Sequence, residues 1–390
     1  MPEAYIVDAV RTAGGRRNGR LSGVHPADLA GDVLSALVER TKVDPEAIED
    51  VILGCVTQAG EQAFAFARNA VLASSLPVTT PATTIDRQCG SSQQAIQFAA
   101  QAVMSGTQDI IIAAGAESMS RVPMLSNRTL HERDGLGVGP ISERIKARFR
   151  VNDFSQFEGA EMMARKYHFS REKLDGFALE SHHRAAAATE QGAFKDEIVP
   201  VAIETAEGLA MHMTDEGIRY DTSMEKMASV KTLVDGGVIT AANASQISDG
   251  ASALLMVSER ALKEHGFAPI ARVHAMAVTA GDPIIMLEEP ITASCRLLER
   301  AGMSIDDIDL YEVNEAFAPV PLAWVQALGA DPARLNVHGG AIALGHPLGS
   351  SGTKLMATLI HALRRHGKRY GLQTMCEAGG VANAMIVEAL

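Results

Sequence analysis

Two different segments of this 390-residue chain recur about 260 residues further on, and that repetition constrains the fold more than any other feature. Residues 47–54, AIEDVILG, read as a helix end running into a strand, and residues 307–314, DIDLYEVN, carry the same pattern at an offset of 260. The Gly90-Ser91-Ser92 triplet that opens a helix returns as Gly349-Ser350-Ser351 at an offset of 259. Offsets agreeing within one residue indicate a duplicated unit. Such a fold places an active site at the seam, built from loops of both halves.

Each copy reads as α/β, because short β-branched runs alternate with helix-period segments. In the first copy the expected strands lie at Tyr5 to Val7, Val51 to Leu53, Thr83 to Ile85 and Ile110 to Ile112. Pro26 opens a helix whose Leu29, Val33, Ala36 and Leu37 recur at helical spacing, and further helices are expected around residues 64–72 and 93–104. From Arg121 to about Thr240 the texture shifts to more charge, more Met and Gly/Pro punctuation such as DGLGVGP, which reads as an inserted domain. Within it Ser170 caps a long helix with Glu172 in its first turn. After the insert the α/β texture resumes with a strand at 253–257, and the second copy is expected to hold strands at 310–313 and near Leu335, Leu372 and Ile386, with helices following Pro290, reaching Leu328 and covering 351–366. The expected division is residues 1–119 plus 249–268, an insert at 120–248, and residues 269–390.

With 35 basic against 47 acidic side chains the net charge is −12, so the field of the molecule repels nucleic acid and anionic membranes. No run of about 18 apolar residues marks a membrane span. Four scattered cysteines (Cys55, Cys89, Cys295 and Cys376) supply neither a disulfide framework nor a metal ligand set, and a reducing cytoplasm is expected. Cys55 and Cys295 lie in apolar runs and read as core, while His182 and His183 read as solvated.

Four constellations can carry chemistry. Cys89, in TTIDRQCGSSQQAI, sits between a strand and a helix start, where free N–H groups and the macrodipole favour a thiolate; the alternative is an inert buried cysteine. His346, in HGGAIALGHPLGSSG, stands on a glycine-rich loop suited to a general base, or is structural. Cys376, in MCEAGG, ends a strand and is either an acid/base or a packing residue. Asn314, in EVNEAFAPV, can serve a developing oxyanion or simply cap the next helix. Neither G-x-G-x-x-G nor G-x-x-x-x-G-K-[ST] occurs, which disfavours a nucleotide loop.

CGSS at Cys89, NEAFA at Asn314, GHPLGSSG at His346 and CEAGG at Cys376, in that order across the whole chain, resemble the thiolase family. The resemblance implies a thiolase fold: a duplicated five-layered αβαβα core with an inserted loop domain that binds coenzyme A. It implies thiolysis of a 3-ketoacyl-CoA to acetyl-CoA and a shortened acyl-CoA, or the reverse Claisen condensation. Cys89 would be the nucleophile, His346 its base, and Cys376 the acid/base at the acetyl-CoA carbanion. His346 and a water on Asn314 would form one oxyanion hole, and the N–H groups of Cys89 and Ala378 the second. Residues 215–234 and 240–251 match the part of the loop domain that holds coenzyme A. Ser245 and Ala244 there, Arg219 for a phosphate, and Phe317 and Met286 are the implied substrate and CoA contacts. Coenzyme A enters as a substrate, with no tightly bound cofactor and no metal. Homodimers or homotetramers are the implied assemblies.

Two positions depart from the family pattern. Ala378 replaces the usual Gly, costing on the order of 1 kcal/mol if φ > 0 is required there. Met286-Leu287-Glu288-Glu289-Pro290 replaces Met-Gly-x-Gly-Pro and removes two flexible residues near the acyl site. The stretch DEGIRYDTSMEKM resembles degradative thiolases, and QFEGAE with CEAGG resembles those of bacterial lipid and steroid side-chain breakdown. The alternatives are a biosynthetic acetoacetyl-CoA thiolase and a silent thiolase-like acyl-CoA or sterol binding protein. A decarboxylating ketoacyl synthase is disfavoured, because Asn314 stands where a Cys-His-His site has its first histidine.

Overall fold

The computed structural model describes residues 2–390. The first apolar runs form β1 (Ala4–Thr12), β2 (Asp50–Gly54), β3 (Ala82–Ile85) and β4 (Ile110–Ser118), interleaved with α1 (Pro26–Thr41), α2 (Phe66–Leu72) and α3 (Ser91–Ser105). The chain then leaves the sheet for a segment containing α4 (Gln156–Lys166), α5 (Arg171–Glu190) and a hairpin of Val201–Thr205 with Gly208–His212. It returns as β5 (Ser248–Ser258) and β6 (Ala271–Ala280). The second half continues with α6 (Glu289–Ala301), β7 (Leu310–Val313), α7 (Pro319–Leu328), α8 (Ser351–Arg365), β8 (Tyr370–Glu377) and β9 (Val381–Ala389). The starts of β7, α8 and β8 each follow those of β2, α3 and β4 by 260 residues, the repeat seen in the sequence.

The sheet order is β7-β8-β9-β6-β1-β5-β4-β2-β3, two copies of one arrangement joined at the middle. The β2/β4 and β7/β8 pairs are parallel, as crossover helices require, and β1 meets β6 antiparallel with Tyr5 opposite Arg272 and Ile6 opposite Ala271. Strands of this kind are buried on both faces, which explains their unbroken apolar runs. On β4, Ile110 and Ile112 pack with α1 and α2, whereas Ile111 and Ala113 pack with α3 and α8. The C-terminal half repeats the scheme with α6 and α7 outside, around fully buried Trp324. The layers are therefore helix, sheet, paired central helices, sheet, helix. The central pair crosses closely enough that a Cβ on Gly352 would stand 2.0 Å from Gln93 N.

Several local expectations need correction. Strand β6 lies outside the expected strands, because Arg272 and His274 interrupt its apolar pattern; Val273, Ala277 and Thr279 nonetheless bury one side. Near Leu335 there is a single bridge to Tyr311, since a 3₁₀ turn at Pro332–Arg334 leaves little extended chain. Cys295 is exposed, because α6 turns Ala293, Ser294, Leu297 and Leu298 inward instead. His182 is buried and accepts the Arg219 N–H at its Nδ1 (3.2 Å); only His183 faces solvent.

Candidate active site

Cys89 follows a tight turn in which Gln88 adopts φ 49° and Gly90 is the N-cap of α3. Ser91 Oγ fixes the turn, accepting Arg87 N–H at 2.9 Å and donating to Gln88 O at 2.6 Å. The thiol is half-buried, and burial followed by the nearby Glu377 carboxyl pushes it up to about 12. This reverses the depressed thiol expected from the helix start. A macrodipole contributes about 0.3–1 kcal/mol, less than the cost of burying a thiolate beside carboxylates.

His346 is held on the other side by the loop before α8, with its backbone N–H on Gln246 O. Its Nδ1 lies 2.5 Å from Ser351 Oγ, and that hydroxyl donates its proton to Pro347 O at 2.8 Å. Ser351 can therefore only accept from the ring. This assigns the proton to Nδ1 and leaves Nε2 as an unprotonated acceptor. Asn314 Nδ2 points at that Nε2 from 3.4 Å, while Asn314 Oδ1 is buried without a protein partner. Burial and the Lys354 ammonium lower the imidazole to about 3, so it is neutral at pH 7 and able to accept a proton. Lys354 also donates to Leu344 O and Gly345 O at 2.7 and 2.8 Å, clamping the loop that carries His346. Asn314 does not cap α7, whose N-cap is Ala318.

Cys376, the penultimate residue of β8, is almost completely buried and close enough to Cys89 that burial, Cys89 and Glu377 all push its thiol well above the ordinary value. Ala378, Gly379 and Gly380 make the hairpin turn to β9. The positive φ angles fall on Gly379 and Gly380, at 88° and 75°, and not on Ala378. The feared strain at Ala378 is absent. Ala378→Gly should accordingly leave kcat within about twofold, its main effect being chain entropy; a tenfold rise in kcat measured under saturation would restore the strain argument.

Cys89 and His346 face one cleft of about 460 Å³. Its apolar side includes Met119, Phe157, Leu233 and Phe317, with Phe157 edge-on to Phe317 at 5.8 Å. Ser245, Ala244 and Arg219 also border this cleft, and Ala244 bridges to Phe317. Met286 is instead buried in the core under the second half, away from that lining, in a left-handed conformation with φ 38°. Sequence reading missed Arg16 and Arg17, which border the cleft beside Arg219. The basic cluster GGRRNGR in an acidic chain was the available signal. Among the described residues no cluster of metal-ligating side chains occurs, and no helix is long and apolar enough to cross a membrane.

Residues 4–260 match the family description "Thiolase, N-terminal domain" and residues 267–389 match "Thiolase, C-terminal domain". A steroid 3-ketoacyl-CoA thiolase of Mycobacterium tuberculosis is 51% identical over 392 residues, covering 100% of this chain and 95% of that protein. A β-ketoadipyl-CoA thiolase of Escherichia coli is 42% identical over 401 residues, covering 100% of both. Among solved structures, the Bacillus anthracis acetyl-CoA acetyltransferase is similar with TM-score 0.91 at 37% identity, covering 100% of this chain and 99% of that one. The human mitochondrial 3-ketoacyl-CoA thiolase follows with TM-score 0.90 at 36% identity and the same coverage.

Proposed function

The chain belongs to the thiolase family, and from that premise we propose that it cleaves 3-ketoacyl-CoA substrates through an acyl group carried on Cys89, with degradation as its working direction. The observation that carries the reading is the convergence of Cys89 and His346 on one cleft, with Asn314 on the imidazole and Cys376 beside Cys89. As the Cys89 sulfur attacks the 3-keto carbon, its proton passes to the unprotonated Nε2 of His346. The C2–C3 bond then breaks, leaving the acyl group as a thioester on Cys89 and an acetyl-CoA enolate. Cys376 gives its proton to C2 of that enolate and takes one back from the coenzyme A thiol, whose sulfur attacks the thioester. The C–S bond to Cys89 breaks, the shortened acyl-CoA leaves, and His346 returns its proton to Cys89.

The enolate oxygen needs donors. The protonated Nε2 supplies one, and the unpartnered Oδ1 of Asn314 suits a water that supplies another. Asn314→Ala is expected to lower kcat by about 10²- to 10³-fold while leaving Cys89 alkylation by iodoacetamide unchanged. A loss below fivefold in steady-state thiolysis would remove Asn314 from the oxyanion site.

Arginines 16, 17 and 219 suit the phosphates of coenzyme A, and Ser245 its pantetheine arm. The apolar cleft wall and the similarity to a steroid 3-ketoacyl-CoA thiolase favour a bulky acyl group. A homodimer or homotetramer in the cytoplasm completes the proposal. Thiolysis of acetoacetyl-CoA, a long-chain 3-ketoacyl-CoA and a steroid side-chain 3-ketoacyl-CoA should be compared side by side. The highest kcat/KM is expected with the steroid substrate. Preference for acetoacetyl-CoA would favour the biosynthetic reading, and no turnover of any of the three by folded protein would leave an acyl-CoA binder.

A further inference from the structure

Glu377 takes no part in the chemistry above, yet it touches the turn that carries one cysteine and follows the other in sequence. It ends β8 fully buried, and its Oε1 accepts Asn383 N–H at 3.0 Å while Oε2 has no partner. A Cβ on Gly90 would stand 2.0 Å from that Oε1, so the carboxyl packs directly on the backbone next to Cys89. The same Cβ position is 3.0 Å from Asn383 Oδ1, which is also buried and unpartnered. The carboxyl and the Asn383 amide oxygen thus both stand against the Gly90 turn, and among the described residues neither Oε2 nor Oδ1 has a protein donor. A carboxyl proton is the group that can serve both.

The charged or titratable neighbours are few. Arg87 and Cys89 face Glu377 from the loop before α3, and Cys376 precedes it on β8. From β9 and α3 come only amides, with Asn383 Nδ2 donating to Gln94 and Gln97. Asp86 and Glu117 add negative charge at Cys89.

Resting on the thiolase reading, we propose that Glu377 is a positioning residue for the two cysteines: its neutral acid form seats the Gly90 turn behind Cys89, and its ionisation suppresses both thiolates. Burial pushes the carboxyl up to about 8, against the opposing pull of Arg87, so the acid form dominates at pH 7. By linkage, an ionised Glu377 makes each cysteine harder to ionise by as much as a thiolate makes Glu377 harder to ionise.

Glu377→Gln tests this, because the amide keeps a donor and an acceptor and cannot ionise. Cys89 alkylation by iodoacetamide, located by peptide mass, is followed from about pH 6.5 to 9.5 together with thiolysis. Wild type and E377Q should react within about twofold of each other near pH 7. Toward pH 9.5 E377Q should pull ahead, on the order of tenfold for each unit by which Glu377 had raised the thiol. Thiolysis by E377Q should likewise hold at alkaline pH where wild type declines. Superimposable alkylation profiles, or an E377Q that folds but is inactive at pH 7, would overturn the inference. Should E377Q not fold, the wild-type profile decides alone. A rise clearly below tenfold per pH unit around pH 8 supports the inference, and an unbroken tenfold slope sinks it. Absence of Cys89 alkylation at every pH would instead sink the nucleophile assignment itself, so the two failures are distinguishable.

Discussion

Cys89→Ala is expected to lower kcat/KM for thiolysis by about 10⁴-fold or more, because removing a covalent nucleophile leaves only binding and the oxyanion donors. Substrate binding should survive, since the cleft walls and the bordering arginines are untouched. Isothermal titration of coenzyme A against the folded variant checks this. The complementary change, Cys376→Ala, should also block turnover while leaving Cys89 open to alkylation, which separates nucleophile from proton donor. Residual thiolysis by Cys89→Ala within tenfold of wild type would mean that no acyl group rests on Cys89.

Arg11→Met is expected to destabilise the protein by about 3–5 kcal/mol, the usual cost of stripping the partner from buried charges. Arg11 is fully buried on β1, its Nε on Glu197 at 2.5 Å and its other nitrogens on both oxygens of Asp215 at 2.8 and 3.1 Å. The cluster joins a strand of the first half, two acids of the segment between the halves and, through the charge of Lys354, the helix that follows His346. Although burial alone pushes the Asp215 carboxyl up, Arg11 and Lys354 hold it below the ordinary range. Its folded pKa is therefore depressed, so the stabilisation is present above the unfolded value of about 3.9 and is lost as pH falls through the folded value. The urea midpoint of wild type should drop in acid for this reason. A shift below about 1 kcal/mol at pH 7 for Arg11→Met would show that the two carboxylates find other partners.

The candidate site was legible in the sequence where it depends on residue type and local placement. Cys89 before a helix start, His346 between glycines and Cys376 at a strand end could each be singled out, and their order resembled one family. The duplication was readable for the same reason, since β2 with β7 and α3 with α8 repeat local patterns at fixed spacing. The repeat even implied that the site would lie between halves. Strand β6 escaped because its pattern makes sense only once β1 and β9 flank it.

What only the tertiary structure decided are the protonation states, which depend on groups distant in sequence. A helix start argues for an anionic Cys89, but burial holds it as a neutral thiol, and the Glu377 carboxyl, 288 residues away, adds to this once it ionises. The His346 proton is assigned by the Ser351 hydroxyl, and its unprotonated Nε2 meets Asn314 from 32 residues upstream. At Ala378 sequence comparison raised the prospect of strain, and the hairpin gave the left-handed angles to the two following glycines. Sequence order determines which groups can react; desolvation and opposed charges, which exist only after packing, determine which proton each one holds.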